Sequence, residues 1–273
     1  MIDTLELIFE GRPDPGCFRE AFKKHDLKAE IHFLRGESPG TKFVTWTGDR
    51  LFTVIQRSNR TKILARPCRF KSLQKFIQVL TDFFGESIGS ARIRRIDFAI
   101  DLTQSLEDLY WKVDFCRKQL VTGYSSRCGQ PTGITAGAGT EVQKLYDRFK
   151  KTKGQDDHRR IEVCLTKKKI PAATLAELVG YDPKRIAITV FLNIRFFSIS
   201  ITSRDLTKAR YRRQIEIKTL IDNIGYTDAR RRLNRNRNFH RDYANLLKIT
   251  PELIQPQDLL ASSLNAFWFP ELG

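Results

Sequence analysis

Alternating apolar and polar positions predict several strands, and one of them carries acidic side chains. Residues 91–103 read ARIRRIDFAIDLT. Because side chains alternate along a strand, one face would carry the apolar residues Ile96, Phe98, Ile100 and Leu102. The other face would carry Arg95, Asp97, Ala99 and Asp101. The two carboxylates would stand about 13 Å apart at about 3.3 Å per residue. Alternatively, these acids only pair with Arg94 and Arg95.

Similar patterns predict the other elements. Strands are predicted over residues 4–9, 42–47, 51–56, 62–65 and 159–165. Gly137-Ala138-Gly139 predicts a hairpin between residues 133–136 and 141–149. Helical spacing predicts helices over residues 72–84, 105–120, 174–180, 204–224 and 227–247. The apolar, β-branched stretch 186–201 is predicted as a strand.

This order of elements predicts an α+β protein, mainly an antiparallel sheet covered by helices. It lacks the regular βαβ rhythm of a doubly wound sheet. The charged, Arg-rich character after residue 203 predicts a first domain over residues 1–202 and a basic helical extension over 203–273. The sequence contains neither GxxxxGK[ST] nor GxGxxG, which argues against a nucleotide-driven motor.

Positive charge is concentrated in three stretches of the 273-residue chain, whose net charge is +17. Residues 50–81 hold eight Lys/Arg and no Asp/Glu, residues 142–170 hold ten against four, and residues 204–241 hold twelve against four. Such stretches favour a polyanion, because neutralised phosphates release counterions. Solvated basic helices are the alternative. The candidate nucleic-acid contacts are Arg57, Lys62, Arg66, Arg69, Lys71, Lys144, Lys150, Arg230, Arg231, Arg235 and Arg237.

Composition also indicates the cellular compartment of the protein. The five cysteines are widely spaced and form no CxxC pair. This argues against a zinc ribbon or a disulfide framework and favours reduced thiols in the cytoplasm. No stretch approaches the roughly 18 apolar residues that span a membrane, and the acidic N-terminus does not resemble a signal peptide. No membrane partner is expected.

Two further patterns could carry chemistry. On the predicted strand 159–165, Arg160, Glu162 and Cys164 share a face. If this strand neighbours that of Asp97, their carboxylates could meet and bind Mg²⁺ or Mn²⁺, although a buried Glu–Arg pair gives the same letters. Tyr146 lies between Lys144 and Arg148, which share its face. A phenol, with a reference pKa of about 10, attacks well only where cations or a metal stabilise it; otherwise Tyr146 is structural.

The order of these patterns resembles a known family. RRIDFAIDL, then GITAGAGTEVQKLYDR, then HRRIEVCL resemble the replication initiators of the filamentous-phage gene II/X and Rep_trans type, within the tyrosine HUH endonucleases. Their signature is an R-[IL]-D strand, a strand ending in Y-D-K and an R-[FIV]-E strand. The opening MID and the segment LARPCRFKSLQKF add to the resemblance, which covers residues 1–170.

The resemblance implies a function and a set of site residues. Tyr146 would attack a phosphodiester of single-stranded or locally melted origin DNA, link to the 5′ phosphate and free a 3′ hydroxyl to start rolling-circle replication. Asp97 and Glu162, with Asp101 as a further candidate, would hold Mg²⁺ or Mn²⁺. Arg148 stands where the family has lysine, and its planar fork suits phosphate clamping. A host helicase, a polymerase and a second copy of the chain are candidate partners.

Departures from the family leave other interpretations open. No H-x-H pair exists, and His158 is the histidine nearest the RIEV strand. Tyr110 and Tyr124 are interpreted as structural. Residues 229–241 (ARRRLNRNRNFHR) are interpreted as a helix that grips origin DNA. Two alternatives remain: a non-catalytic nucleic-acid-binding protein, and a metal-dependent nuclease whose nucleophile is water.

Overall fold

The computed structural model describes residues 1–11, 15–34, 40–47, 49–57, 59–103, 109–113, 121–125, 131–148, 159–191, 194–198, 212–233, 239–248 and 252–270. Within these residues the strands form one sheet of ten and one sheet of three. Every pairing between neighbouring strands is antiparallel. The predicted α+β class is confirmed.

The strands are β1 Ile2–Glu10, β2 Lys28–Leu34, β3 Gly40–Thr47, β4 Asp49–Arg57, β5 Arg60–Ala65, β6 Arg92–Leu102, β7 Leu109–Val113, β8 Val121–Ser125, β9 Pro131–Ala138, β10 Glu141–Asp147, β11 Arg159–Thr166, β12 Ile194–Ser198 and β13 Glu252–Ile254. The large sheet has the order β2-β3-β4-β5-β1-β6-β11-β10-β9-β8, and the small one β13-β12-β7. The predicted hairpin is therefore confirmed as β9 and β10.

The helices are α1 Pro15–Lys24, α2 Leu73–Phe84, α3 Leu175–Val179, α4 Pro183–Phe191, α5 Arg212–Leu233, α6 Phe239–Lys248 and α7 Pro256–Trp268. Short 3₁₀ helices cover Pro67–Arg69, Glu86–Ser90 and Lys167–Lys169. The boundaries of α2 follow local chemistry. The Ser72 hydroxyl accepts a hydrogen bond from the Lys75 backbone N–H, and the helix ends at Gly85, whose φ of 76° suits glycine.

One face of the large sheet is apolar and lies under helices. Phe83 of α2 packs its ring against Phe18, Phe22 and Phe52, with centroids 5.0–5.1 Å apart. Apolar residues of α2, α3, α4 and α7 join those of the strands in one buried cluster. The opposite face of the sheet is therefore left to carry polar side chains.

Strand β6 keeps the alternation that the sequence predicts, after one irregularity. Its register with β1 shifts between the pairs Leu7–Ile93 and Glu6–Arg95, so Arg94 is the extra residue of a bulge. Beyond the bulge, the four predicted apolar residues Ile96, Phe98, Ile100 and Leu102 are buried. Arg95, Asp97 and Asp101 occupy the alternate positions, so they lie on the polar face.

Four sequence predictions about elements are wrong in part. Residues 109–113, inside the helix predicted for 105–120, form strand β7, and the rest of that segment lies outside the described residues. Residues 186–191, predicted as strand, belong to α4, and only Ile194–Ser198 is extended. Helix α1 lies within the first 65 residues, which the sequence predicts to be mostly strands. Helix α5 runs through residues 225–226, which separate two of the predicted helices. β7 and β12 pair with each other, so long-range pairing decides their conformation.

The C-terminal helix α7 packs with the N-terminal part of the chain. It contacts α4, α2 and β6, and its residues Leu260, Leu264 and Trp268 belong to the buried cluster. The boundary near residue 203 stays a prediction, but α7 itself lies on the core of the large sheet. Among the described helices, none is long and apolar enough to cross a membrane.

The aromatic cluster predicts a large stability effect. We expect Phe83→Ala to lower the free energy of unfolding by about 3–5 kcal/mol, because it removes a fully buried ring and leaves a cavity. Leu259→Ala, at a residue 45% exposed on α7, is the control and should change it by about 0.5 kcal/mol or less. Urea denaturation measures both, and equal losses would contradict the packing described for Phe83.

Candidate functional site

Strands β6 and β11 are neighbours, as the metal-site interpretation required. Asp97 of β6 is paired with Cys164 of β11, and Asp101 is paired with Arg160. Glu162 occupies the register position midway between these two pairs. Residues paired across an antiparallel ladder share a face, so the carboxylates of both strands lie on the polar face of the sheet.

Strand β10 completes the site on the other side of β11. Tyr146 is paired with Arg160, and Lys144 is paired with Glu162. The Tyr146 hydroxyl donates a hydrogen bond to Glu162 Oε1. The structure thus brings together the phenol and one of the predicted carboxylates.

The surroundings of Tyr146 keep its hydroxyl protonated. Burial, together with the hydrogen bond to Glu162 and its charge, raises the pKa of Tyr146 above the usual value, and the positive charge of Arg160 only partly opposes this. The phenol is therefore neutral at physiological pH. It needs a proton acceptor at the moment of attack, and Glu162 is already hydrogen-bonded to that proton.

Asp97 is held by its neighbour on the same strand. Arg95 Nε donates to one carboxylate oxygen at 2.8 Å and Arg95 Nη2 to the other at 2.6 Å. The sequence analysis left open that the acids of β6 pair with Arg94 and Arg95, and Asp97 does pair with Arg95.

Asp97 also affects the neighbouring Cys164 on β11. Burial, followed by the hydrogen bond to Asp97, raises the pKa of the Cys164 thiol to about 12. Cys164 is therefore a neutral thiol and a poor nucleophile.

Asp101 is held in the same way by Arg160. The Arg160 guanidinium donates from Nε and Nη2 to the two Asp101 oxygens at 2.6 and 2.8 Å. Arg160 Nη1 also donates to Asp3 Oδ1 at 2.8 Å. The Arg160 side chain is only 8% exposed, so two carboxylates compensate one buried cation.

The sequence analysis does not predict Asp3 and Arg160 as site residues, although both belong to motifs that it identifies. Asp3 belongs to the opening MID, and Arg160 shares a face with Glu162 in RRIEV. Their contact joins residues 157 positions apart in the chain. A sequence pattern carries no direct signal for a contact of that range.

The charges of the site nearly cancel. Its carboxylates are Asp3, Asp97, Asp101 and Glu162, and its cations are Arg95, Lys144 and Arg160. Four acids against three bases leave one excess negative charge in a chain of net charge +17. Lys144 Nζ lies 3.7 Å from Glu162 Oε2.

The predicted site residue Arg148 is half-buried and directly follows β10.

The carboxylates do not form a metal site in this arrangement. Among the described residues, no group of three or more His, Cys, Asp or Glu side chains is placed to hold a metal ion. Both oxygens of Asp97 and both of Asp101 accept from guanidinium groups. Glu162 accepts from Tyr146. We therefore assign no step to a metal ion, and the role of these three residues as ligands stays a prediction.

Gly133 of β9 lies opposite Tyr146. A Cβ atom at this position would stand 2.7 Å from the Tyr146 Cβ and 2.8 Å from the Leu145 carbonyl oxygen. Both distances are too short for real contacts. The absence of a side chain at Gly133 thus lets β9 approach Tyr146 closely.

The candidate nucleic-acid contacts lie on or beside several elements of the structure. Arg57, Arg66, Arg69, Lys71 and Arg231 are exposed. Lys62 forms an ion pair with Glu6 at 2.9 Å, Lys144 lies in the site, and Arg230 lies on α5. Residues 229–233 are helical, as predicted, and α6 begins at Phe239. The predicted residues outside the described part of the chain are Lys150, His158, Arg235 and Arg237.

Comparisons with known proteins add a similarity to solved structures. No family model matches the sequence, and no curated protein matches it. Among solved structures, the chain is similar to a rolling circle replication initiator protein from Geobacillus stearothermophilus. The TM-score is 0.42 and the sequence identity 14%, over 72% of this chain and 86% of that chain. At this level the similarity does not establish a family.

Because β9 lies so close to Tyr146 of β10, we expect that a side chain at Gly133 destabilises the protein. We expect Gly133→Ala to lower the free energy of unfolding by about 1–3 kcal/mol, because the backbone must shift to relieve the contacts. Gly89→Ala is the matched control, since its Cβ would meet Ala176 Cβ at an ordinary 3.6 Å. Urea denaturation of both variants tests this. An unchanged Gly133→Ala protein would show that the strands are farther apart.

Proposed function

We propose that the protein is a replication initiator that nicks and religates one DNA strand through a covalent tyrosine–5′-phosphate intermediate. The observation that carries this proposal is the hydrogen bond from the Tyr146 hydroxyl to Glu162. A phenol beside a fixed carboxylate is a nucleophile paired with its proton acceptor. The order of the three motifs along the sequence supports the same activity.

The nicking step follows from this pair. The Tyr146 oxygen attacks the phosphorus of one phosphodiester while its proton passes to Glu162. The bond from phosphorus to the 3′ oxygen breaks, and that oxygen takes up a proton from solvent water to become a 3′ hydroxyl. The 5′ phosphate stays linked to Tyr146. The free 3′ hydroxyl is the end that a polymerase extends.

Religation runs through the same groups in reverse. A 3′ hydroxyl attacks the phosphotyrosine and releases its proton to solvent water. The bond from phosphorus to the Tyr146 oxygen breaks, and Glu162 returns its proton to the phenol. One carboxylate thus serves both directions, as base and then as acid. Burial and the charge of Glu162 raise the pKa of Tyr146, so the departing oxygen takes up this proton and does not remain a phenolate.

Cations beside the pair would stabilise the charge that grows on the phosphate oxygens. Lys144 lies on the same strand and face as Tyr146, 3.7 Å from Glu162. Arg148 follows two residues after Tyr146, at the position where the resembling family has lysine. A guanidinium binds phosphate in a fork and does not readily give up a proton. We assign both residues to phosphate binding and neither to proton transfer.

The substrate is single-stranded or locally melted DNA. A phosphodiester must lie against Tyr146 in an attacking geometry, and Tyr146 is half-buried between β9 and β11. A flexible single strand can follow such a surface. The net charge of +17 favours a polyanionic partner. Mg²⁺ or Mn²⁺, a host helicase, a polymerase and a second subunit are further participants that the sequence resemblance implies.

Trapping the covalent intermediate tests the proposal whatever the sequence of the origin. Purified protein is incubated with a random library of labelled single-stranded oligonucleotides, in Mn²⁺ and separately in EDTA. We expect a denaturation-resistant adduct whose recovered DNA reveals the cleaved sequence. Tyr146→Phe should abolish the adduct, because it removes the attacking oxygen. Tyr181→Phe, outside the site and facing Arg185, is the matched control and should retain it.

Each alternative function gives a different result in this assay. Cleavage without an adduct, unchanged in Tyr146→Phe, would indicate water as the nucleophile. Binding without cleavage in either buffer would indicate a non-catalytic nucleic-acid-binding protein. Either result contradicts the proposed intermediate.

The role of Glu162 predicts a rate effect that stability alone would not cause. We expect Glu162→Gln to slow adduct formation by about 10²–10⁴-fold, because an amide cannot accept the phenol proton. Glu141→Gln is the control, since Glu141 lies on β10 and pairs with Lys169 at 3.3 Å. Single-turnover rates on the recovered DNA sequence measure both. Equal rates for Glu162→Gln and the native protein would remove Glu162 from the mechanism.

A further inference from the structure

A basic segment is physically connected to the proposed active site. The 3₁₀ helix Pro67–Arg69 directly follows β5 and packs on β1. The Cys68 thiol donates to the Asp3 carbonyl oxygen at 3.6 Å and approaches Asp3 Oδ1 at 3.8 Å. The same Asp3 oxygen accepts from Arg160, which is paired with Tyr146. This chain of contacts fixes the segment to the end of the sheet where Tyr146 lies.

The basic segment consists of Arg66, Arg69 and Lys71, which are all exposed. They lie within residues 50–81, which contain no acidic residue. Arg66 and Lys71 form no ion pair with any residue that the structure describes. Exposed cations create a positive surface potential that attracts a polyanion.

The separation between the segment and Tyr146 follows from the strand order. β1, β6 and β11 lie between β5 and β10. At about 4.8 Å between neighbouring strands, β5 and β10 are about 19 Å apart. A few nucleotides of an extended single strand cover that distance. Between the two ends lie Asp3 and Asp101, whose charges Arg160 partly compensates.

We propose that Arg66, Arg69 and Lys71 form a phosphate-binding subsite for the DNA strand that Tyr146 attacks. The strand crosses the ends of β11, β6 and β1 and places its flanking phosphates on these three cations. This inference rests on the proposed function for the position of the scissile phosphate. The binding of the strand to the segment can be measured without any cleavage.

The first experiment measures the salt dependence of binding in a Tyr146→Phe background, so that no covalent step occurs. The probe is a fluorescent single-stranded thymidine homopolymer. We expect the combined Arg66→Gln, Arg69→Gln and Lys71→Gln variant to reduce the slope of log K against log salt by about 2, at about 0.7 per lost phosphate contact. Circular dichroism checks that the variant is folded.

The lysines of the 3₁₀ helix Lys167–Lys169 provide a control with the same number of cations, of which Lys169 pairs with Glu141. They are exposed and also follow a strand, but Lys167 lies past the end of β11 opposite to Arg160. The combined Lys167→Gln, Lys168→Gln and Lys169→Gln variant should keep the native slope. Equal slopes for the two combined variants would overturn the subsite. This outcome is independent of whether the native protein forms an adduct.

The second experiment tests the path of the strand. Single neutral methylphosphonates are placed on either side of the scissile phosphate in the recovered DNA sequence. We expect a methylphosphonate a few nucleotides from the scissile phosphate, on one side only, to weaken binding to the native segment. In the combined Arg66, Arg69 and Lys71 variant, the same methylphosphonate should have no effect on binding. Retained sensitivity in that variant would place the strand elsewhere. Failure of adduct formation with an intact slope effect would refute the nicking function and leave the binding segment.

Discussion

The antiparallel register of β6, β11 and β10 is the constraint on which the site depends. Because side chains alternate, a slip of one residue in β11 would move Arg160 and Glu162 to the apolar face. The register is fixed by burial, since Ile161, Val163 and Leu165 of β11 are buried against the core. The same packing that stabilises the sheet therefore places Glu162 beside Tyr146. Fold and candidate chemistry depend on one alignment.

The parts that the sequence could predict are those governed by local pattern. The alternation in β6 and the capped helix α2 depend on neighbouring residues, and the hairpin of β9 and β10 on its turn glycines. β7 could not be identified in this way, because its extended form depends on β12 more than 80 residues later. The bidentate pairs of Arg95 with Asp97 and of Arg160 with Asp101 change how the two aspartates are interpreted. The residue types of Asp97 and Asp101 suggest metal ligands, whereas in the structure both carboxylates bind guanidinium groups. A sequence does not distinguish these two cases, because it does not show which side chains meet.

The arrangement of charges separates two tasks within one sheet. Around Tyr146, acids and bases nearly cancel, so that a proton can move between fixed groups with little change in solvation. Away from it, exposed cations such as Arg57 and Arg66 lie where they can attract a polyanion. A strongly positive centre would hold DNA more tightly, but it would also disfavour the proton transfer to Glu162 that the proposed mechanism requires.

The position of β11 in the sheet has a consequence for biosynthesis. It follows β10 in the chain, yet it inserts between β6 and β10. Until residues 159–166 have left the ribosome and docked, the nascent polypeptide carries Tyr146 without Glu162 beside it. The pair of Tyr146 and Glu162 is thus assembled late, and under the proposed function incomplete translation products would be unable to cut DNA.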